Sequence, residues 1–266
     1  MIVSKLGLPD PLAVKSFLGE IVTGKKKNKQ SLPRIRRRWL LLAVSAGAIN
    51  AGGFLACQRF VTHVTGFATH FGLDFAQGHW LAAASMLVVP GFFLFGAFIS
   101  GLLMDVQVHK GRAPRSDIVM LLMALSLTIV AVAGTAGKFG TFGTPLEVGR
   151  DFIFLALLCL ASGLQNAVVT SSTGAVIRTT HLTGMTTDLG IGLARVASRV
   201  GEGVTQRGTI NNWLRVGLIG SFIVGASFGA WLFGLFDYGA FLFPAFVSAS
   251  MIQKTINPAA DGIHHF

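Results

Sequence analysis

From Leu81 to Met104 the chain runs 24 residues without a charge. As a helix this stretch reaches about 36 Å at ~1.5 Å per residue, more than the ~30 Å hydrocarbon core of a bilayer. The run therefore predicts a transmembrane helix, kinked at Pro90-Gly91. Residues 39–57, 118–136, 151–170 and 216–236 are apolar runs of the same kind, and a shorter sixth is read at 240–252, after the turn Asp237-Tyr238-Gly239. Only 12% of the residues are charged, about half the share of a soluble domain. So little charge cannot cover a water-facing surface.

Two polar inserts interrupt these runs, and they are related. One reads Thr62-His63-Val64-Thr65-Gly66-Phe67-Ala68-Thr69, the other Thr180-His181-Leu182-Thr183-Gly184-Met185-Thr186-Thr187, 118 positions later. Upstream, Gly47-Ala48-Ile49-Asn50 resembles Gly163-Leu164-Gln165-Asn166 at an offset of 116. Gly225-Ala226 likewise repeats Gly96-Ala97. The chain thus divides into a basic tail with an amphipathic helix or unstructured segment (1–38), a first membrane repeat (39–136), a loop (137–150), a second membrane repeat (151–252) and a polar tail (253–266).

Positive charge chooses between two architectures. If each motif segment dips into the membrane and returns, there are six crossings in two inverted 3+3 repeats. If each crosses, there are eight. With six, the tail, the loop 105–117 and the segment 195–215 fall on the cytoplasmic side, carrying ten, three and four Lys/Arg, against Arg59, Lys138 and Arg150 outside. The positive-inside rule favours six, with both termini cytoplasmic. The fold expected is an all-α membrane protein.

The net charge of +11 comes mostly from the tail, whose ten Lys/Arg and two acids give +8. Beside an apolar span this is a topology signal and a contact for anionic lipids, not a nucleic-acid surface. Cys57 and Cys159 lie in apolar runs with no Cys/His cluster, so neither a disulfide framework nor a metal site is expected. No hydrolase, metalloprotease, phosphate-loop or dinucleotide motif occurs, and neither an enzyme nor a cofactor is read here.

The motifs themselves carry more polar groups than lipid tolerates, so they belong inside the bundle or along a water-filled cavity. Thr65 and Thr183 are candidate N-caps, starting short helices over 67–76 and 185–194. Opposed N-terminal dipoles near mid-membrane suit a small anionic or zwitterionic solute. The candidate solute-binding residues are Asn50, Thr62, His63, Thr65, Gly66, Thr69, Asn166, Thr180, His181, Thr183, Gly184, Thr187 and Asp188. His70 and Asp188 occupy equivalent positions, and Asp74 is matched by Gly192, so that carboxylate is present in one half only. The competing reading is structural: Ser, Thr and Gly also serve helix crossings, in a membrane protein that packs or binds a partner without transporting.

The two Gly-x-x-Asn blocks, with Thr62–Gly66 and Thr179–Gly184, resemble the YoaK-like family of bacterial membrane proteins of unknown function, over residues 39–252. Typical members carry an acidic residue where Asn50 stands here and vary at His63 and His181. The resemblance implies a multi-spanning bacterial inner-membrane protein and supplies no substrate, cofactor or catalytic residue.

Overall fold

The structure, a computed structural model, describes residues 31–145, 148–172, 182–198 and 206–252. Every regular element among them is helical: α1 (Ser31–Cys57), α2 (Val64–Ala76), α3 (Trp80–Leu103), α4 (Asp105–His109), α5 (Ser116–Thr135), α6 (Val148–Ser172), α7 (Leu182–Ala197), α8 (Gln206–Phe236), a 3-10 turn (Asp237–Phe241) and α9 (Leu242–Ile252). The surface helix expected in the tail and the motif residues Thr180 and His181 lie outside the described residues.

Among the described residues, five stretches are long and apolar enough to cross a membrane: Arg37–Cys57, Trp80–His109, Ser116–Thr135, Gly149–Ser172 and Asn211–Ile252. The sixth span read from the sequence is not separate by this measure. It forms the end of a stretch of 42 residues, in which α8, the 3-10 turn and α9 follow one another. The chain bends there at Asp237, whose φ of 45° is left-handed, a conformation Asp tolerates better than most residues. With 11 residues α9 covers about 16 Å, roughly half a bilayer core. Pro90 sits inside α3, which continues through it.

Close glycine contacts decide which helices neighbour one another. A Cβ at Gly47 would land on the Phe222 carbonyl oxygen, and one at Gly225 on that of Val44. These backbones touch because neither partner has a side chain between them. Gly217 meets Leu40 and Gly52 meets Phe233, so α1 and α8 run parallel. The same contact recurs between α3 and α6: a Cβ at Gly163 would strike Phe93 O, and one at Gly96 would strike Leu160 O. Phe92 stacks edge-on against Phe152 near the start of α6, while Ser171 near its end bonds Asp105, so this pair is parallel too. Each half lends its first helix to the third helix of the other.

α6 runs against α1. Its Gln165 Nε2 donates to Leu42 O near the middle of α1, at 2.6 Å, whereas Gly143 N, in the loop before α6, donates to Ala56 O at the end of α1, at 3.1 Å. α5 and α9 pack together behind this row, α5 on α6 and α9 on α1. Tyr238 sits against Gly134 at the end of α5, so α9 turns back along α5.

An aromatic cluster closes the Cys57 end of the bundle. Tyr238 meets Phe139, Phe142 and Phe154 edge-on or tilted, and Phe241 meets Phe154 and Phe233. Its polar groups are paired: Tyr238 OH donates to Gly140 O at 2.9 Å and Gly140 N to Asp151 Oδ1 at 3.1 Å. Asp151, 3% exposed, also lies 3.6 Å from Arg150 Nε. A buried carboxylate is tolerated only when paired and hydrogen-bonded in this way.

Candidate functional site

The first motif copy is built by a fold-back of the chain. Gln58 ends α1 in the left-handed conformation, φ 58°, and its N–H closes onto Phe54 O at 2.7 Å. The chain then returns along the last turns of α1. Gly53 permits this, since a Cβ there would meet both Val61 methyls at 2.9 Å and Arg59 O at 3.2 Å. Val61 is buried, and its carbonyl oxygen accepts from Cys159 Sγ at 3.6 Å. Thr62 thereby reaches back two turns from the end of α1, where its hydroxyl donates to Asn50 Oδ1 at 2.7 Å. Asn50 lies seven residues before Cys57, about 10 Å back along the helix.

His63 completes this cluster. Its Nδ1 is 3.2 Å from Asn50 Oδ1 and 3.1 Å from Thr62 Oγ1. At that distance the amide oxygen can accept from a protonated Nδ1. Phe60 and Phe222 meet the imidazole edge-on, with centroids 6.1 and 6.4 Å away. Phe222 is the residue whose carbonyl faces Gly47, so α2 starts level with Gly47–Asn50 of α1.

His63 is also the N-cap of α2, without a side-chain cap bond. The expectation of Thr65 as cap is therefore corrected: helix geometry begins at Val64, because the bonds of Thr62 and His63 to Asn50 hold the chain two residues earlier. α7 likewise already includes Thr183, having started at Leu182. Both helices are longer than the 67–76 and 185–194 segments read from sequence. Thr65, Thr69, Thr183, Gly184, Thr187 and Asp188 are exposed, and Gly66 is half-buried. The Thr69 hydroxyl donates to Thr65 O at 3.1 Å and that of Thr187 to Thr183 O at 2.9 Å. These protons are spent within each helix, leaving hydroxyl lone pairs to face outward. Neither Gly66 nor Gly184 has a heavy atom within 4 Å of a Cβ position.

In the second half Asn166 is 7% exposed and its Oδ1 accepts no hydrogen bond. It lines a hollow of about 260 Å³ between α3 and α6, together with Phe93, Ala97, Gly101, Asp105, Ala167, Thr170 and Ser171. Phe93 and Asn166 stand here as Phe222 and Asn50 stand beside His63. Asp188 is paired: its Oδ2 lies 3.8 Å from Arg215 Nη2, while Arg215 Nη1 donates to Asn212 Oδ1 at 3.1 Å. Asn212 fits because position 192 is glycine, where a Cβ would strike its side chain. His70 and Asp74 are half-buried one turn apart on α2. Sequence reasoning missed Phe222, Gly53 and Arg215, since nothing local to them marks a partner on another element.

Among the described residues, five apolar stretches long enough to cross a bilayer and a bundle built of helices alone mark a membrane-embedded protein. The chain belongs to the family described as Protein of unknown function (DUF1275), whose model matches residues 39–252. The YoaK-like resemblance is consistent with this membership, which goes no finer than the family. No curated protein and no solved structure shows a significant match to it.

Proposed function

We propose that the chain is a six-span protein of the bacterial inner membrane, made of two inverted 3+3 repeats, which binds and passes a small anionic or zwitterionic solute between its two Thr-His-x-Thr-Gly segments. The exchange of contacts supports the repeats: α1 on α8 matches α6 on α3, through equivalent glycines. Alternating helix directions support the inversion. Arg37, Arg38, Lys110, Arg112, Arg115, Arg195 and Arg215 gather at the end where α1 begins, which we read as cytoplasmic.

The observation that carries the solute site is the fold-back of residues 58–63. It starts α2 at the depth of Asn50, inside the bilayer, beside a hydrogen-bonded polar cluster. Broken helices whose N-termini begin at mid-membrane are how membrane carriers present backbone N–H groups and positive dipole ends to anionic groups. The pairing of Asp188 with Arg215 removes a charge that would repel an anion. The test is to compare binding of small carboxylates and amino acids with folded yield in Gly66→Leu and Gly184→Leu. Binding should fall at least tenfold while yield is kept, because both positions are open; misfolding of both variants would hand these glycines a packing role.

A second reading, a partner-binding membrane protein, is favoured by the outward exposure of Thr65, Thr69, Thr183 and Thr187. Under it the same variants would abolish a complex with another membrane protein and leave solute binding undetectable in the native chain as well.

A further inference from the structure

Beyond the tight Gly96–Gly163 crossing, α3 and α6 leave a hollow of about 260 Å³ between them, towards the ends that carry Asp105 and Ser171. Gly101 and Ala97 stand four and eight residues before Asp105, on one face, and are too small to fill the gap. Asp105 Oδ2 accepts from Ser171 Oγ at 2.9 Å, which fixes the carboxylate at the mouth. Among the described residues no cation pairs with it, and Arg115 lies 3.4 Å from Asp117 instead. An exposed carboxylate alone is an ordinary surface group; the inner end of the hollow sets this one apart. There Asn166, five residues and about 8 Å further in, is 7% exposed, and its Oδ1 accepts no hydrogen bond. In the first half the equivalent oxygen, that of Asn50, is taken by Thr62. A buried acceptor without a donor is costly. No hydrogen bond among the described residues holds the Asn166 amide, so a half-turn about its last torsion brings Oδ1 to the hollow without breaking one. The hydroxyl protons beside it are spent, Ser171 on Asp105 and Thr170 on Asn166 O at 2.7 Å. The polar wall therefore offers accepting oxygens and one negative charge, which suit a cationic N–H donor. An inorganic cation needs several oxygens at short, fixed distances, whereas walls of Ala97, Gly101 and Ala167 suit the carbons of an amine.

We propose that this hollow holds the ammonium group of a small organic amine, between the Asp105 carboxylate at its mouth and Asn166 at its inner end. The site does not depend on a solute passing between the two motif segments. Purified wild type, Asp105→Asn and Gly101→Leu in a maltoside detergent are titrated calorimetrically with ethanolamine, ethylene glycol, sodium chloride and sodium acetate. Monodispersity and helix content are checked for each protein. A Cβ at Gly101 meets nothing within 4 Å, so leucine there fills the hollow without striking backbone. Ethanolamine should bind wild type, at least tenfold more weakly Asp105→Asn, and not detectably Gly101→Leu; ethylene glycol, of similar size but uncharged, should not bind. If Gly101→Leu fails to fold, Asp105→Asn decides alone. Ethanolamine binding unchanged in Asp105→Asn, equal binding of ethylene glycol, or binding of sodium or acetate without the amine each overturn the assignment. A lipid headgroup and a free amine offer the same group, and nanodiscs of phosphatidylglycerol, which has no ammonium, with and without phosphatidylethanolamine tell them apart. Phosphatidylethanolamine retained in native mass spectra of wild type and lost from Asp105→Asn assigns the site to the headgroup. Free ethanolamine bound equally in both nanodiscs assigns it to a soluble amine. Neither the lipid nor the free amine held by wild type overturns the site.

Discussion

Asn50 is the residue on which the first motif depends. Its side-chain oxygen receives Thr62 and faces Nδ1 of His63, and it is 8% exposed. Hydrogen bonds between membrane helices average about 0.6 kcal/mol. Asn50→Leu removes the shared acceptor and should lower stability by ~1–2 kcal/mol, since Thr62 is buried and keeps an unmade bond. Asn50→Leu combined with Thr62→Val should cost less than the two single changes together, a non-additivity that a double-mutant cycle in reversible detergent unfolding would detect. Strict additivity would mean that the two side chains do not interact. Asp188 contrasts with this. It is exposed and 3.8 Å from Arg215, so Asp188→Asn should change stability by less than about 1 kcal/mol.

At the scale of elements, two kinds of glycine separate. Gly47, Gly96, Gly163 and Gly225 sit where a Cβ would strike the backbone of the neighbouring helix. Gly163→Leu or Gly225→Leu should prevent α3–α6 or α1–α8 from closing, beyond the ~1–3 kcal/mol of ordinary overpacking, because backbone cannot rotate away. Size-exclusion profiles in detergent should show these variants largely aggregated and Gly66→Leu monodisperse. A monodisperse Gly225→Leu protein would contradict the α1–α8 contact. The sequence repeat displayed both sets equally, as small residues at matched offsets. Only the contacts show that the motif glycines are open and the upstream ones are packed.

For the whole molecule, the testable consequence is orientation. Cys57 and Cys159 are both buried, so they give little background to thiol labelling. Single cysteines placed at Arg112, Gly143 and Arg207 should divide cleanly: the one at Gly143, beside the end of α1, reacts with an impermeant reagent added outside, and the other two react only after permeabilisation. Outside labelling at Arg112 would remove the inverted arrangement. The end carrying Arg59, Lys138 and Arg150 is also the one closed by Tyr238 and its phenylalanines.

The apolar runs, their lengths and the duplicated motif were legible in the chain itself, because membrane insertion is a local matter. Each run of about 20 uncharged residues satisfies its own backbone as a helix whatever lies beside it. The polar pattern of the motifs was legible for the same reason, since it breaks those runs. What the sequence could not state is which helices touch. That depends on the fit of two backbones at Gly47 and Phe222, or at Gly163 and Phe93, residues more than 60 positions apart. The N-cap of α2 moved from Thr65 to His63 because an acceptor on α1, Asn50, holds the chain before the helix begins. The pairing of Asp188 with Arg215 likewise needed α7 to lie along α8. Local hydropathy fixes what becomes a helix in the membrane, and only contact between distant segments, through shape and directed hydrogen bonds, decides how the helices and their polar groups meet.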